Sequence, residues 1–542
     1  MGNGVFAWLQ RSGPRAGRLR LLAAGLALAW SGAAAQVAAP SSPSPEAVDA
    51  AVLRTMERFS LPGIAVGVIV DGEVVYRGTH GELRAGSGEP VDAGSLFKIA
   101  SLSKAMTTAV LARQVDAGLL AWDDPVRRHL PQFRMHDAWV TEHMQVRDLL
   151  IHNSGLGIGA GDLMLWPEPN AFDRDDIIAA LAHLRPTHSF RSHYSYDNLL
   201  YVVAGEVAAQ VAGKPYAQLV HEEVFAPLGM QRCQAGAWSR DAVGNVAQPH
   251  MSQDGRNVVV REDGPQIPDT ASMAAGGIRC GLDDMLAWMR AWLDPSAAPD
   301  WLSETQRRAL WTLHQPMPIS RRMRDEDRTR MYGYGYGWRI SDVDGEWMVA
   351  HTGTLMGMYA SLVLLPDRRS GFVILINGQG GEARSVLGQV LTRAFTRDAQ
   401  ALDVDAGADA AARARAQAAA GGATARAMAP DTSARLPVSA RDFAWTGTWR
   451  DPWFGDVSLC ARGDAIGFRA HKSPRMSGRV MQVGGRYLVE WNDRSVDAEP
   501  WLDFSRPGRG PARLAMSHVD PDADSSYDYG DLALERVAGC GR

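Results

Sequence analysis

The chain has no excess of basic charge. Its formal net charge is −5 over 542 residues, whereas a nucleic-acid surface needs clustered positive charge, so no nucleic-acid partner is expected. Long hydrophobic runs are also missing. Residues 21–30, "LLAAGLALAW", fall short of the ~20 apolar residues that span a bilayer, and no later run is longer. Metal-binding patterns are incomplete. "HEEVF" at 221–225 lacks the second histidine of H-E-x-x-H. His129, His136 and His143 are seven apart, but Pro131 breaks any shared helix and no carboxylate follows at ligand spacing. "GYGYGW" is glycine-rich, yet it neither leads from a strand into a helix nor carries a lysine, which argues against a nucleotide loop. No metal and no organic cofactor is therefore called for. Disorder is excluded by composition, with 46% hydrophobic and 22% charged residues. Cysteine is scarce, at four.

What is present begins with an export signal. Arg11, Arg15, Arg18 and Arg20 precede the short apolar run, and Ala33, Ala34 and Ala35 offer a small-residue cleavage site before Gln36. Residues 1–35 read as a secretory signal peptide, whose removal takes the net charge from −5 to −9. The mature chain is expected to be exported, to the periplasm or the medium, with no transmembrane segment. No cysteine follows the cleavage site, which speaks against a lipid anchor there.

At ~100–200 residues per domain the chain holds at least two folding units. Residues 36–400 show a helix, a hairpin marked by Asp71-Gly72, a helical middle, apolar strands around Pro366–Gly371 and a closing helix near 382–395. That order predicts an α+β fold with a mostly antiparallel sheet. Residues 401–437 are nearly all Ala, Gly, Asp and Arg and are expected to be a linker, in part helical. Residues 438–542 place Trp445, Trp449, Trp453, Trp491 and Trp501 among short alternating runs, as in a small all-β domain. A small core is the expected use of those rings; a glycan or partner surface, or a cap over a cleft, are the alternatives. In an exported protein four cysteines favour disulfides over free thiols. The pairs Cys233–Cys280 and Cys460–Cys540 are preferred because each stays inside one expected domain.

The chemistry sits in residues 94–111, "GSLFKIASLSKAMTTAVL", which hold two S-x-x-K patterns. A serine hydroxyl needs a nearby base and an oxyanion site to act as a nucleophile. On a helix, residues three apart share a face, so the lysine amine lies beside Oγ. Burial then lowers the lysine's pKa and lets it accept a proton. Only Ser101 is followed by an unbroken helical pattern, so Ser101 and Lys104 are chosen over Ser95 and Lys98. The pattern alone is short and common by chance. Two further motifs follow it: Tyr196-Asp197-Asn198 opening a helix, and His351-Thr352-Gly353 entering strands.

S-x-x-K, Y-x-N and H-T-G in this order resemble the β-lactamase-related serine hydrolases, a group that includes class C β-lactamases, D,D-carboxypeptidases, some esterases and D-aminopeptidases. "VRDLLIHNSGLG", "VFAPLGM" and "AAGGIRCGLDDMLAWM" support the resemblance, which covers about residues 45–395. It implies a helix-flanked antiparallel sheet with a helical subdomain, and Ser101 as the acyl-forming nucleophile. Lys104 would be its base or the base's electrostatic partner. Tyr196 would shuttle the proton, its phenolate favoured by Lys104 and by protonated His351; Tyr194 does not fit Y-x-N. Asn198 would position the substrate or hold Lys104. The N–H groups of Ser101 and Thr354 would form the oxyanion hole, with Gly353 permitting close approach. His351 replaces the lysine usual in β-lactamases, removing a fixed cation. That substitution looks more like the esterase and D-aminopeptidase members, and predicts a pH–rate limb set by His351. Trp166-Pro167 either lines the cleft or staples a loop.

The expected function is an exported serine hydrolase cleaving an ester or a D-amino-acid amide through an acyl-enzyme. A D,D-carboxypeptidase or weak β-lactamase acting on cell-wall peptides is one alternative, and a non-catalytic binding protein is another. The partner is the substrate, a small molecule or peptide; the oligomeric state is left open by the sequence.

Overall fold

The strand Gly63–Val70 is apolar along its whole length because both of its faces are covered. Ile64, Val66 and Val68 point into one core, with Val386, Leu387 and Val390, while Ala65 and Ile69 point into the other. This strand lies near one edge of an eight-stranded antiparallel sheet in the computed structural model, which describes residues 42–397, 402–421 and 431–541. The expected signal peptide and part of the expected linker lie outside the described residues. From the edge the sheet runs Glu73–Gly81, Gly63–Val70, Ser370–Ile376, Met358–Leu365, Glu346–Leu355, Arg339–Val343, Tyr332–Tyr334 and Gln315–Pro316. The Asp71-Gly72 turn joins the first two, with φ of 47° and 83°, the left-handed pair that a two-residue hairpin demands.

Helices Pro45–Arg58 and Gly381–Thr396 cover one face of the sheet. Ser44 caps the first by accepting the Ala47 N–H. Helix Leu282–Leu293 covers the other face and presses so close that a Cβ on Gly67 would lie 2.7 Å from Leu286. A largely helical subdomain between the hairpin and the later strands supplies the rest of the core, including helices Ser103–Asp116 and Leu199–Ala212.

Part of the stretch expected as a linker is a docked helix, Val404–Gly421. Val404 and Ala408, one turn apart, are buried against the sheet-flanking helices, and Asp405 pairs with Arg54. Small residues are what permit that approach: a Cβ on Gly407 would stand 3.1 Å from Val386. Beyond it, antiparallel strands from Gly447–Asp451 to Leu534–Ala538 form a barrel, closed by pairing of Ser477–Val483 with Arg486–Trp491. Trp449, Trp453, Trp491 and Trp501 are buried in it. Disulfides join Cys233 to Cys280 and Cys460 to Cys540. Among the described residues no helix is long and apolar enough to cross a membrane.

Candidate active site

Ser101 lies in the short turn Ala100–Leu102 that leads into helix Ser103–Asp116. Ala100 just before it has φ 50°, a left-handed conformation a non-glycine residue adopts only when its surroundings impose it. The helix brings Lys104 back beside the serine, with Nζ 3.1 Å from Ser101 Oγ. Lys104 is fully buried, and Nζ also donates to Asn198 Oδ1 and to the Ala275 carbonyl, both at 2.7 Å. Burial is the chief cause that lowers its pKa to about 7; Arg339 adds to the lowering, and Asp162 and Asp197 oppose it. A neutral amine has two N–H groups and one lone pair. The two carbonyl oxygens take both N–H groups, which leaves the lone pair for the serine proton.

The other S-x-x-K pair is held apart. Residues 95–98 are extended, where positions three apart face opposite sides. Ser95 Oγ donates to Asn245 Oδ1 at 2.6 Å and accepts the Asp92 N–H at 2.8 Å, deep in the protein. Ser95 is a loop brace.

Tyr196 and Asn198 precede helix Leu199–Ala212. The phenol of Tyr196 lies close enough to Ser101 to interact with it, and its ring centroid is 5.0 Å from Lys104 Nζ. Burial pushes its pKa up to about 12, while Arg339 and Ser101 pull it down. The expected phenolate is therefore not the resting form; the group is a phenol that can relay a proton. Tyr194 instead packs against His152 and Tyr334. Asn198 Nδ2 donates to Asp162 Oδ2 at 2.8 Å, so Asn198 bridges Lys104 to a buried carboxyl. Burial raises the Asp162 pKa to about 8.

His351 corrects the sequence expectation. It is buried, and it is not among the residues that line the cleft. Nδ1 donates to the Thr352 carbonyl at 2.7 Å and Nε2 accepts from the Tyr334 hydroxyl at 2.8 Å. Burial, then the charges of Arg339 and Lys104, hold its pKa well below the usual imidazole value. A neutral, enclosed His351 neither supports a Tyr196 phenolate nor sets a pH limb near neutrality. The fixed cation beside this strand is Arg339, which lines the cleft and donates to Thr352 Oγ1 at 2.8 Å. Gly353 sits where strand Glu346–Leu355 crosses the Ala100–Leu102 turn: a Cβ there would lie 2.2 Å from the Ile99 carbonyl. Thr354 lines the cleft next to it, its hydroxyl bonded to Arg384.

The cleft encloses about 790 Å³ and is lined by Ser101, Tyr196, Asn198, Trp166 and Pro167, together with Arg475 and Tyr527 from the barrel. Trp166-Pro167 thus borders the cleft. The barrel also braces the site from behind. Asp528 accepts the N–H groups of Gly161 and Leu163 on either side of Asp162, and Ser526 lies against the Asp162 carboxyl. No sequence signal distinguished Asp162 or Arg339. His152, packed on the Tyr196 ring, falls inside "VRDLLIHNSGLG", so its neighbourhood was legible although its contact was not. Among the described residues no group of histidines, cysteines and carboxylates could hold a metal ion.

Residues 48–396 match the family model described as Beta-lactamase, which leaves the C-terminal barrel outside the match. The chain is similar to unguisins hydrolase ungD' of Aspergillus campestris, at 25% identity over 63% of this chain and 62% of that one. It is similar to penicillin-binding protein 4 of Amycolatopsis lactamdurans, at 27% identity over 60% of this chain and 82% of that one. The matched stretch thus spans less than two thirds of the first relative and more than two thirds of the second. The fold is similar to that of the octameric penicillin-binding protein homologue from Pyrococcus abyssi, with a TM-score of 0.54 and 18% identity, over 90% of this chain and 98% of that chain.

Proposed function

Because the chain belongs to the beta-lactamase family, we propose that it is an exported serine hydrolase that cleaves an ester or a D-amino-acid amide through an acyl-enzyme on Ser101. The family supports a serine-hydrolase mechanism on small substrates; the bond and the residues are this reading's own. The observation that carries it is the buried Lys104 amine, which loses its proton around pH 7 and stands 3.1 Å from Ser101 Oγ while donating to two carbonyl oxygens. Ser101 Oγ attacks the substrate carbonyl carbon and its proton passes to Lys104. The oxyanion that forms is held by the N–H groups of Ser101 and Thr354. Collapse breaks the bond to the leaving group, which takes its proton through Tyr196. Water then attacks the acyl-enzyme by the reverse route, freeing Ser101 and the acid.

Hydrolysis of p-nitrophenyl butyrate tests this reading. Ser101→Ala should abolish turnover and fluorophosphonate labelling, whereas Ser95→Ala should retain both. Full activity in Ser101→Ala would overturn the assignment.

Arg339 favours a second reading, a D,D-carboxypeptidase. No carboxylate pairs with it among the described residues, and it stands beside Thr352 in the cleft, as a site for a substrate ending in a carboxylate would require. Similarity to a protein named for binding penicillin supports the same reading. Covalent labelling of Ser101 by a fluorescent penicillin, lost in Arg339→Met, would select it over the first.

A further inference from the structure

The chain contains four lysines against 52 arginines, and two of the four, Lys98 and Lys104, line or floor one cleft. Lys104 is accounted for by the nucleophile. Lys98 is not. It lies on the short strand Phe97–Lys98, paired antiparallel with Arg279–Cys280, so that Lys98 stands directly opposite Arg279. Directly opposed residues share one face of a strand pair, and like charges there repel. One carboxylate bonds to this pair directly. Asp263 accepts both arms of the Arg279 guanidinium, at 2.5 and 2.9 Å. Lys98 forms no hydrogen bond and no ion pair among the described residues, although it is partly buried at the cleft wall.

The neighbouring groups do not fill the gap. Arg475, reaching in from the barrel, is neutralised by Asp493 at 2.7 Å and donates to the Glu168 carbonyl at 2.6 Å. Glu168 itself accepts from Ser272. Glu168 acts on Lys98 through space but makes no bond to it, so Lys98 is left without a direct partner and its open face belongs to the ligand. Burial, then Arg279, lower the pKa of Lys98, which is the cost an incoming anion would relieve.

We propose that Lys98, supported by Arg279, is an anion subsite for a carboxylate on the acyl part of the substrate. The inference deepens the acyl-enzyme reading and rests on it. Its direction is assigned from the charged groups that act on each side chain. Tyr196, which serves the leaving group, is grouped with Arg339 and Thr352. Lys98 is grouped instead with Arg279, Asp263, Glu168 and Arg475. A substrate bound across Ser101 would thus place its acyl part toward Lys98. The expected substrate class is an ester or amide of a dicarboxylic acid, or a peptide with a side-chain carboxylate in the acyl portion.

The test compares p-nitrophenyl butyrate with the mono-p-nitrophenyl ester of glutaric acid, whose acyl part ends in a carboxylate. The unmutated enzyme should favour the glutarate ester in kcat/KM, chiefly through KM, and added salt should weaken the preference. Lys98→Met should reduce the ratio of the two kcat/KM values about tenfold or more, and Lys98→Arg should restore most of it. An equal change on both esters, or no preference in the unmutated enzyme, would overturn the inference while leaving the acyl-enzyme reading intact. Absence of both Ser101-dependent hydrolysis and fluorophosphonate labelling would instead defeat that reading, and this inference with it. Should the lysine variants not fold, the unmutated protein still decides. Glutarate must slow fluorophosphonate labelling of Ser101 more than butyramide does, and equal protection by the two would overturn the subsite.

Discussion

The proposed role of Lys104 as the base depends on its burial without a counter-ion in direct contact. Its proton is lost near pH 7, so the free base is present above that value and the ammonium below it. Activity should fall about tenfold per pH unit on the acid side of this limb, in kcat/KM for p-nitrophenyl butyrate between pH 5 and 8. Because His351 is held neutral by burial, His351→Gln should leave the position of the limb unchanged. A limb that moves with that variant would return the role to the histidine. Asp162 works in the opposite sense. Its carboxyl holds a proton up to about pH 8 in the folded protein, whereas an unfolded aspartate loses it near 3.9. The folded state thus binds more protons between these values, and stability from this group falls as pH rises through that window. Asp162→Asn keeps an acceptor for Asn198 and removes the titration. It should raise the melting temperature at pH 8 relative to the parent, with the difference shrinking toward pH 4.

At the scale of elements, the site is a crossing between strand Glu346–Leu355 and the Ala100–Leu102 turn that carries Ser101. Strand and turn touch because position 353 has no side chain. Gly353→Ala would set a Cβ against the backbone carbonyl of Ile99, which cannot rotate away. The strand must then shift, carrying the Thr354 N–H from the oxyanion position proposed for it. A displacement of about 1 Å at a reacting centre costs about 10²-fold in rate, so kcat should drop by about that factor while far-UV circular dichroism stays the same. The duplicated S-x-x-K pattern teaches a related point. Ser95-x-x-Lys98 and Ser101-x-x-Lys104 are alike as strings, yet only the helical copy joins serine to lysine. The helical run after Ser101 was readable in the residues themselves, and so was the choice between the copies.

Across the whole molecule, the barrel is more than an appended unit, since residues 524–527 and Arg475 help to enclose the cleft. Asp528 satisfies the Gly161 and Leu163 N–H groups that flank Asp162. Asp528→Ala should leave those donors buried and unpaired, loosen the Asp162–Asn198–Lys104 chain, and lower kcat by about tenfold. Stopped-flow or steady-state rates on p-nitrophenyl butyrate would read this, and an unchanged kcat would show that the barrel does not act on the catalytic lysine. By itself the sequence determined the α+β order of elements, the all-β character of the last hundred residues and the motifs around Ser101, Tyr196 and Gly353. All of these are written in local periodicity and short spacings. The tertiary structure decided which charges meet. Arg339 takes the place of a cation beside the third motif, His351 turns inward to Tyr334, Asp162 reaches Lys104 through Asn198, and Lys98 is left facing the cleft. Those contacts join residues 13 to 94 positions apart, and a side chain's charge state depends on the burial and neighbours that only the folded chain supplies.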